Sequence, residues 1–230
     1  MNGIFITGTD TGVGKTYIAT GIARTFRSNG IDVGVMKPAE TGCRVRQGDL
    51  RPKDAISLIE AAGVSDSLDL VNPYRYRKPL APLAAAAMEG QKIFINRIKS
   101  AYQELSRKHE FMIVEGAGGI MVPLTLRYSY LDLASDLGLP VLVVARPNLG
   151  TINHTLLTIM AIQQRNISLA GIVFNKCSKE QRDLAERTSP AVIEQLSGVR
   201  VLGSISFGQQ NFKRLILQLG ECQQPFHRTL

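Results

Sequence analysis

A chain of 230 residues with 44% hydrophobic and 20% charged residues can bury one α/β domain and has the balance of an ordinary globular protein, which excludes a disordered or fibrous chain. No apolar run reaches the ~18–20 residues of a membrane helix, and Met1 leads into an apolar strand without a basic leader or cleavage site, so the expected compartment is the cytosol. The net charge of +8 is spread along the chain rather than clustered or interleaved with aromatics, which fits solvated surface and an attraction for anionic substrates, and excludes a nucleic-acid partner from the expectation.

In chain order, short apolar runs at 4–7, 32–36, 111–115, 141–145, 169–174 and 201–205 have the length of strands buried on both faces. Amphipathic stretches at 15–28, 52–62, 93–107, 130–137, 152–164, 179–196 and 211–219 alternate with them. Such alternation predicts a parallel β-sheet with helices on both faces, a three-layer α/β sandwich. One domain is expected over 1–222, with 223–230 as a C-terminal tail; Pro79 and Pro82 mark a loop before an alanine-rich turn. Cys43, Cys177 and Cys222 are odd in number and widely spaced, so they read as reduced thiols rather than a disulfide framework or metal site.

Ligands of parallel sheets bind at the carboxyl ends of the strands, and the polar residues collect there. The first strand runs into Gly8-Thr-Asp-Thr-Gly-Val-Gly-Lys-Thr16, a phosphate-binding loop followed by a helix. Gly12 and Gly14 can take positive φ, Lys15 can neutralise β and γ phosphates, and the Thr16 hydroxyl can ligate magnesium. The first glycine stands one position earlier than in the usual Gly-x-x-x-x-Gly-Lys-Thr pattern.

A single hydroxyl does not complete a magnesium site, so carboxylates are needed. Glu115 ends an apolar strand and enters Gly116-Ala-Gly-Gly119, a second glycine loop suited to close contact with phosphate or substrate. Asp54 follows Pro52 at a helix start, where it reads either as a ligand or as an acid favoured by the helix dipole. Lys37 opens Lys37-Pro-Ala-Glu-Thr-Gly42 directly after a strand; it reads as a solvated lysine or as a second cation for charge developing in phosphoryl transfer. Thr41 is either a turn residue or a substrate hydroxyl contact. Later strands end in Arg146-Pro-Asn-Leu-Gly-Thr-Ile-Asn153 and in Asn175-Lys176.

Together with Asn72-Pro-Tyr74, Val114-Glu-Gly-Ala-Gly-Gly119 and Leu149-Gly-Thr-Ile-Asn-His154, these segments resemble dethiobiotin synthetase over most of the chain, and the longer glycine loop is that family's form. The resemblance implies a P-loop NTPase-like fold and closure of the ureido ring of dethiobiotin from 7,8-diaminononanoate, CO2 and ATP, with Mg2+ as cofactor. It implies catalytic roles for Lys37 and Lys15, and magnesium ligation by Thr16, Asp54 and Glu115. Nucleotide contacts are implied at Gly12, Val13, Gly14, Lys15, Thr16, Tyr17, Asp54, Glu115, Gly116, Ala117, Gly118, Gly119, Asn175 and Lys176. Substrate contacts are implied at Thr41, Gly150, Thr151, Ile152 and Asn153, the last four binding the substrate carboxylate across a homodimer interface. His154 reads as a structural partner rather than a base.

Two departures fall at the base-recognition end: Asn175-Lys-Cys-Ser178 and Gly203-Ser-Ile-Ser-Phe207 lack prolines common in the family. Asn175-Lys-Cys-Ser178 is also three-quarters of the guanine-reading Asn-Lys-x-Asp signature, but Ser178 has no carboxylate to accept from the guanine ring. A partitioning ATPase would carry a further lysine near the start of the loop, where this chain has Asp10.

Overall fold

The computed structural model describes residues 3–179 and 184–222. β1 (Gly3–Gly8) passes through the glycine loop into α1 (Lys15–Ser28) and then β2 (Val33–Met36). The next segment holds the short strand β3 (Ala39–Glu40) and an exposed antiparallel hairpin, β4 (Arg44–Arg46) and β5 (Asp49–Arg51), before α2 (Lys53–Ala62). After α3 (Leu68–Val71), β6 (Tyr74–Arg75) pairs with β3, and α4 (Pro82–Met88) and α5 (Ile95–Lys108) lead to β7 (Phe111–Gly119). A small pair, β8 (Pro123–Thr125) and β9 (Tyr128–Ser129), precedes α6 (Tyr130–Leu137) and β10 (Val141–Ala145). The described chain closes with α7 (Thr151–Gln164), β11 (Leu169–Asn175), α8 (Leu184–Ser197), β12 (Val201–Ile205) and α9 (Lys213–Cys222).

The main sheet is parallel throughout, in the order β12-β11-β10-β1-β7-β2, with helices flanking it. From β1 the chain builds outward to β2 and returns to β7, then crosses to β10 on the other side. That reversal opens a crevice at the carboxyl end of β1, and the glycine loop begins there. Residues of β1 and β10 are all buried, as their largely apolar sequences require. α1 presents Ile18, Ile22 and Phe26 to the core at four-residue spacing, and the ring of Phe26 meets Phe111 of β7 edge-on at 4.8 Å.

Several elements differ from expectation. The alanine-rich turn is the helix α4: alanine has the strongest helix propensity, and Pro82 at its first turn is pre-set for helical φ. The strand expected at 111–115 continues to Gly119, because parallel pairing with β1 resumes at Gly8↔Gly119 beyond a bulge. The helix expected from 179 is described only from Leu184, since 180–183 lie outside the described residues, as does the tail at 223–230. None of the described helices is long and apolar enough to cross a membrane.

Candidate active site

The glycine loop takes the shape its residues predict. Gly14 is the N-cap of α1 at φ 90°, a left-handed conformation costly to other residues, and a Cβ there would stand 2.0 Å from Asn175 Nδ2. Gly12 is likewise at φ 72°. With no side-chain cap on α1, the helix start and its loop leave a ring of N–H groups suited to an anion. Lys15 is 6% exposed and donates to the loop carbonyl of Asp10 at 3.2 Å.

The network beside the loop is built from the end of β2, the middle of β7 and the first turns of α1 and α2. Lys37, just past β2 and 2% exposed, places Nζ 2.5 Å from Glu115 Oε1, 2.9 Å from Asp54 Oδ2 and 3.3 Å from the Gly116 carbonyl. Thr16 Oγ1 donates to the same Glu115 oxygen at 2.7 Å. Glu115 is 0% exposed, and its Oε2 is buried without a hydrogen-bond partner. Such an orphaned carboxylate oxygen beside a threonine hydroxyl and a second carboxylate suits a hard divalent cation, so Thr16, Asp54 and Glu115 fit magnesium. The backbone of Lys37 is itself clamped, its N–H on Val71 O and its carbonyl accepting from Asn72 Nδ2 at 2.5 Å.

These charges set one another's protonation. Burial pushes Lys15 down to about 8, with repulsion from Lys37 adding to it against the pull of Glu115 and Asp54. Burial also opposes the charge on Lys37, but Glu115 and Asp54 outweigh it and raise its pKa. Burial likewise opposes ionisation of Asp54, yet attraction to Lys37 and hydrogen bonds from Lys37 and Thr16 hold its carboxyl below the usual range. The ammonium of Lys37 is therefore locked between two carboxylates, while Lys15 has only a backbone carbonyl and is the cation facing the loop.

The network lies at the head of a cleft of ≈ 710 Å³ that brings together Gly12, Gly14, Lys15, Thr16, Lys37, Thr41, Asp54, Glu115, Ala117 and Gly118. Gly116 and Gly119 stand beside it on β7, Gly119 opposite Gly8. Val13 is buried beneath the loop. Tyr17 points away: its hydroxyl donates to Gln209 O and its ring packs edge-on against Phe212. Asn175 supports the loop from behind, Nδ2 donating to Val13 O at 3.0 Å, while its Oδ1 is buried without a partner. The ammonium of Lys176 pairs with Glu186 at 3.1 Å. Gly150, Thr151, Ile152 and Asn153 lie outside the main cleft, at the start of α7, where Thr151 and His154 border a separate recess of ≈ 140 Å³.

Sequence reasoning missed three contributors. Pro79, Leu80, Ala81 and Pro82 form a wall of the cleft. Arg146 donates to Thr11 O at 2.6 Å and so braces the loop tip. Glu40 is 5% exposed, lines the cleft and accepts from the start of α2; burial pushes its carboxyl above the usual range. An acid after Pro38 and Ala39, just past an apolar strand, was the available signal for Glu40.

Parallel sheet, reversal point and glycine loop define a P-loop nucleotide-binding α/β protein. The AAA domain family model matches residues 2–210. The fold is similar to MinD cell division protein from Aquifex aeolicus (TM-score 0.55, 15% identity, 96% of this chain and 87% of that one) and to a ParA family ATPase from Chlorobium tepidum (0.52, 14%, 97% and 93%). At that identity the likeness is one of fold. The chain is 44% identical over 212 residues to the ATP-dependent dethiobiotin synthetase of Thermodesulfovibrio yellowstonii, covering 89% of this chain and 88% of that protein. It is 42% identical to that of Aquifex aeolicus over 86% of each chain. The chain belongs to the ATP-dependent dethiobiotin synthetase family, as its loop and strand-end motifs led one to expect.

Proposed function

We propose that this protein closes the ureido ring of dethiobiotin from 7,8-diaminononanoate, CO2 and ATP. The observation that carries the reading is the convergence of Lys15, Thr16, Lys37, Asp54 and Glu115 at one end of a single cleft. One substrate amine adds to CO2, losing a proton to give a carbamate. A carbamate oxygen then attacks the γ-phosphorus and ADP leaves, producing a carbamic-phosphoric anhydride. The second amine attacks its carbonyl carbon and loses a proton, and the C–O bond to phosphate breaks so that phosphate departs as the ring closes.

Each residue has a stated part. Backbone N–H groups of residues 12–17 hold the phosphates, and Lys15, without a carboxylate partner, supplies the cation for them. Lys37 lies where it can stabilise carbamate and transferring phosphoryl charge, its position set by two carboxylates and a clamped backbone. Thr16, Asp54 and Glu115 would hold magnesium, which when bound neutralises charge on the phosphate oxygens. Thr41, which lines the same cleft as Lys37 and the proline wall, would contact the diamine. The buried free Oδ1 of Asn175 suits an adenine amino group at the far side of the loop.

A homodimer belongs to the same reading. Gly150, Thr151, Ile152 and Asn153 are not among the residues lining the main cleft of their own chain, and beside them Leu149, just before α7, is 90% exposed, with Leu157 at 57% and Met160 at 54% on α7 itself. A second copy covering that apolar stripe would bring its α7 start to the first copy's cleft. The deciding experiment measures phosphate release from ATP with and without 7,8-diaminononanoate and bicarbonate. Release should require both, and turnover indifferent to them would sink the assignment in favour of a switch ATPase.

A further inference from the structure

Helix α2 carries Asp54 but has no cap of its own. Its N-cap is Pro52, which makes no side-chain cap, so the first N–H groups need an outside acceptor. Glu40 supplies it: Oε1 accepts from Asp54 N at 2.9 Å and Oε2 from Ala55 N at 3.0 Å. The grip is on the backbone of Asp54 itself, across 14 residues of chain. Between the two, the chain runs out through the β4–β5 hairpin, whose Arg44, Val45, Arg46, Asp49 and Arg51 are exposed. Glu40, by contrast, stands on a fixed frame: β3 pairs with β6, and Lys37 three residues earlier is clamped by Val71 and Asn72.

We propose that Glu40 is a positioning residue: by capping α2 from β3 it fixes Asp54 relative to Lys37 and Glu115, and thereby sets the affinity of the site for magnesium. The inference rests on the reading of Thr16, Asp54 and Glu115 as ligands. Glu40 need not touch the metal. It makes the segment that starts at Lys37 and the first turn of α2 move as one body, so Asp54 meets a cation already in place.

The test uses Mn2+ as probe, its binding to the full chain with a non-hydrolysable ATP analogue followed by electron paramagnetic resonance, beside the melting temperature of each variant. Glu40→Ala should weaken Mn2+ binding about tenfold, the scale of losing a group that orients a ligand, and lower the melting temperature. Glu40→Gln, which keeps one acceptor but turns an amino group on the second N–H, should fall between, at about threefold, and covers the case in which the alanine variant does not fold. Adding Pro52→Ser to Glu40→Ala returns a local cap to α2 but not the tie to β3. That double variant should regain melting temperature while Mn2+ binding stays weak. Recovery of both together, or undiminished Mn2+ binding in Glu40→Ala, would overturn the inference. Asp54→Asn separates the two layers: if it binds Mn2+ normally, the ligand reading falls and this inference with it, whereas a weakened Asp54→Asn beside an unaffected Glu40→Ala removes the inference alone.

Discussion

The pair of Lys37 and Glu115 can be weighed by a double-mutant cycle of Lys37→Met and Glu115→Gln. The charged atoms are 2.5 Å apart and the side chains 3% and 0% exposed, so water screens little of the attraction. With an effective dielectric of ~20, unit charges at that separation attract by roughly 6–7 kcal/mol, most of which offsets the cost of desolvating them. Lys37→Met leaves Glu115 buried with only the Thr16 hydroxyl, and should destabilise by about 3–5 kcal/mol. Glu115→Gln is milder, because the amide oxygen can still accept from Lys37 and Asp54 stays at 2.9 Å; about 2–3 kcal/mol is expected. Once either is gone the other's charge is a burden, so the double variant should recover a coupling of about 2–3 kcal/mol relative to the sum of the singles. With a urea m-value of ~2–3 kcal/mol/M, that separates the observed double-variant midpoint from the additive one by roughly 1 M. Urea unfolding at pH 7, followed by far-ultraviolet circular dichroism, reads it directly. A coupling below ~0.5 kcal/mol, the spread of non-interacting sites, would refute the pair as a buried charge contact.

Other outcomes follow from the same geometry. Gly14→Ala must hold left-handed φ and push Asn175 off Val13, so nucleotide affinity should fall at least tenfold, about 1.4 kcal/mol, in an equilibrium titration; unaltered affinity would contradict the loop's role. Lys37→Ala should abolish dethiobiotin formation while nucleotide still binds, and retained ring closure would remove Lys37 from the reaction. His109 is hydrogen-bonded by Asp32 at 3.0 Å and Asp66 at 2.8 Å; burial lowers its pKa, but the two carboxylates win and raise it. Its charge therefore stabilises the fold fully below the unfolded value of ~6.5 and loses that contribution as pH rises through the folded one. The melting-temperature gap between the wild type and His109→Gln should shrink from pH 6 to pH 9, and a constant gap would argue against the shift. Leu157→Glu should yield monomers by sedimentation and impair ring closure while leaving ATP binding intact; an unchanged sedimentation coefficient would discount α7 as the interface.

The sheet and its glycine loop were legible in the residues because local causes suffice for both. β10 and β12 begin and end where the apolar runs do, and α1 spans the stretch from Lys15 to Ser28 that follows the loop. Lys37 and Glu115 were legible as polar residues closing apolar runs, since a parallel sheet aligns its carboxyl ends, while Lys37 and Thr41 stayed open between bland and functional readings on their own residues. Asp54 was open between ligand and helix-start acid on its own residues, and only the family resemblance implied a ligand; the structure adds that its carboxyl stands 2.9 Å from Lys37. Glu40 was passed over: nothing in the local pattern tells that its partners are N–H groups 14 and 15 residues away. The side chain of Tyr17 ties α1 to the turn before α9, because it leaves the helix on the side facing Phe212, so any nucleotide contact of residue 17 falls to its backbone.

By itself, then, the sequence determined the alternation of buried strands and amphipathic helices, the phosphate loop and the family, all of which depend on residue type and spacing over a few turns of chain. Only the tertiary structure decided how the charges are shared: that Lys37 is locked between Asp54 and Glu115, that Lys15 faces the loop without a carboxylate, and that Glu40 accepts from the backbone N–H of Asp54. The physical reason is that the energy of a buried charge is set by whatever stands within a few ångströms of it, and here those neighbours come from strands and helices up to 99 residues apart.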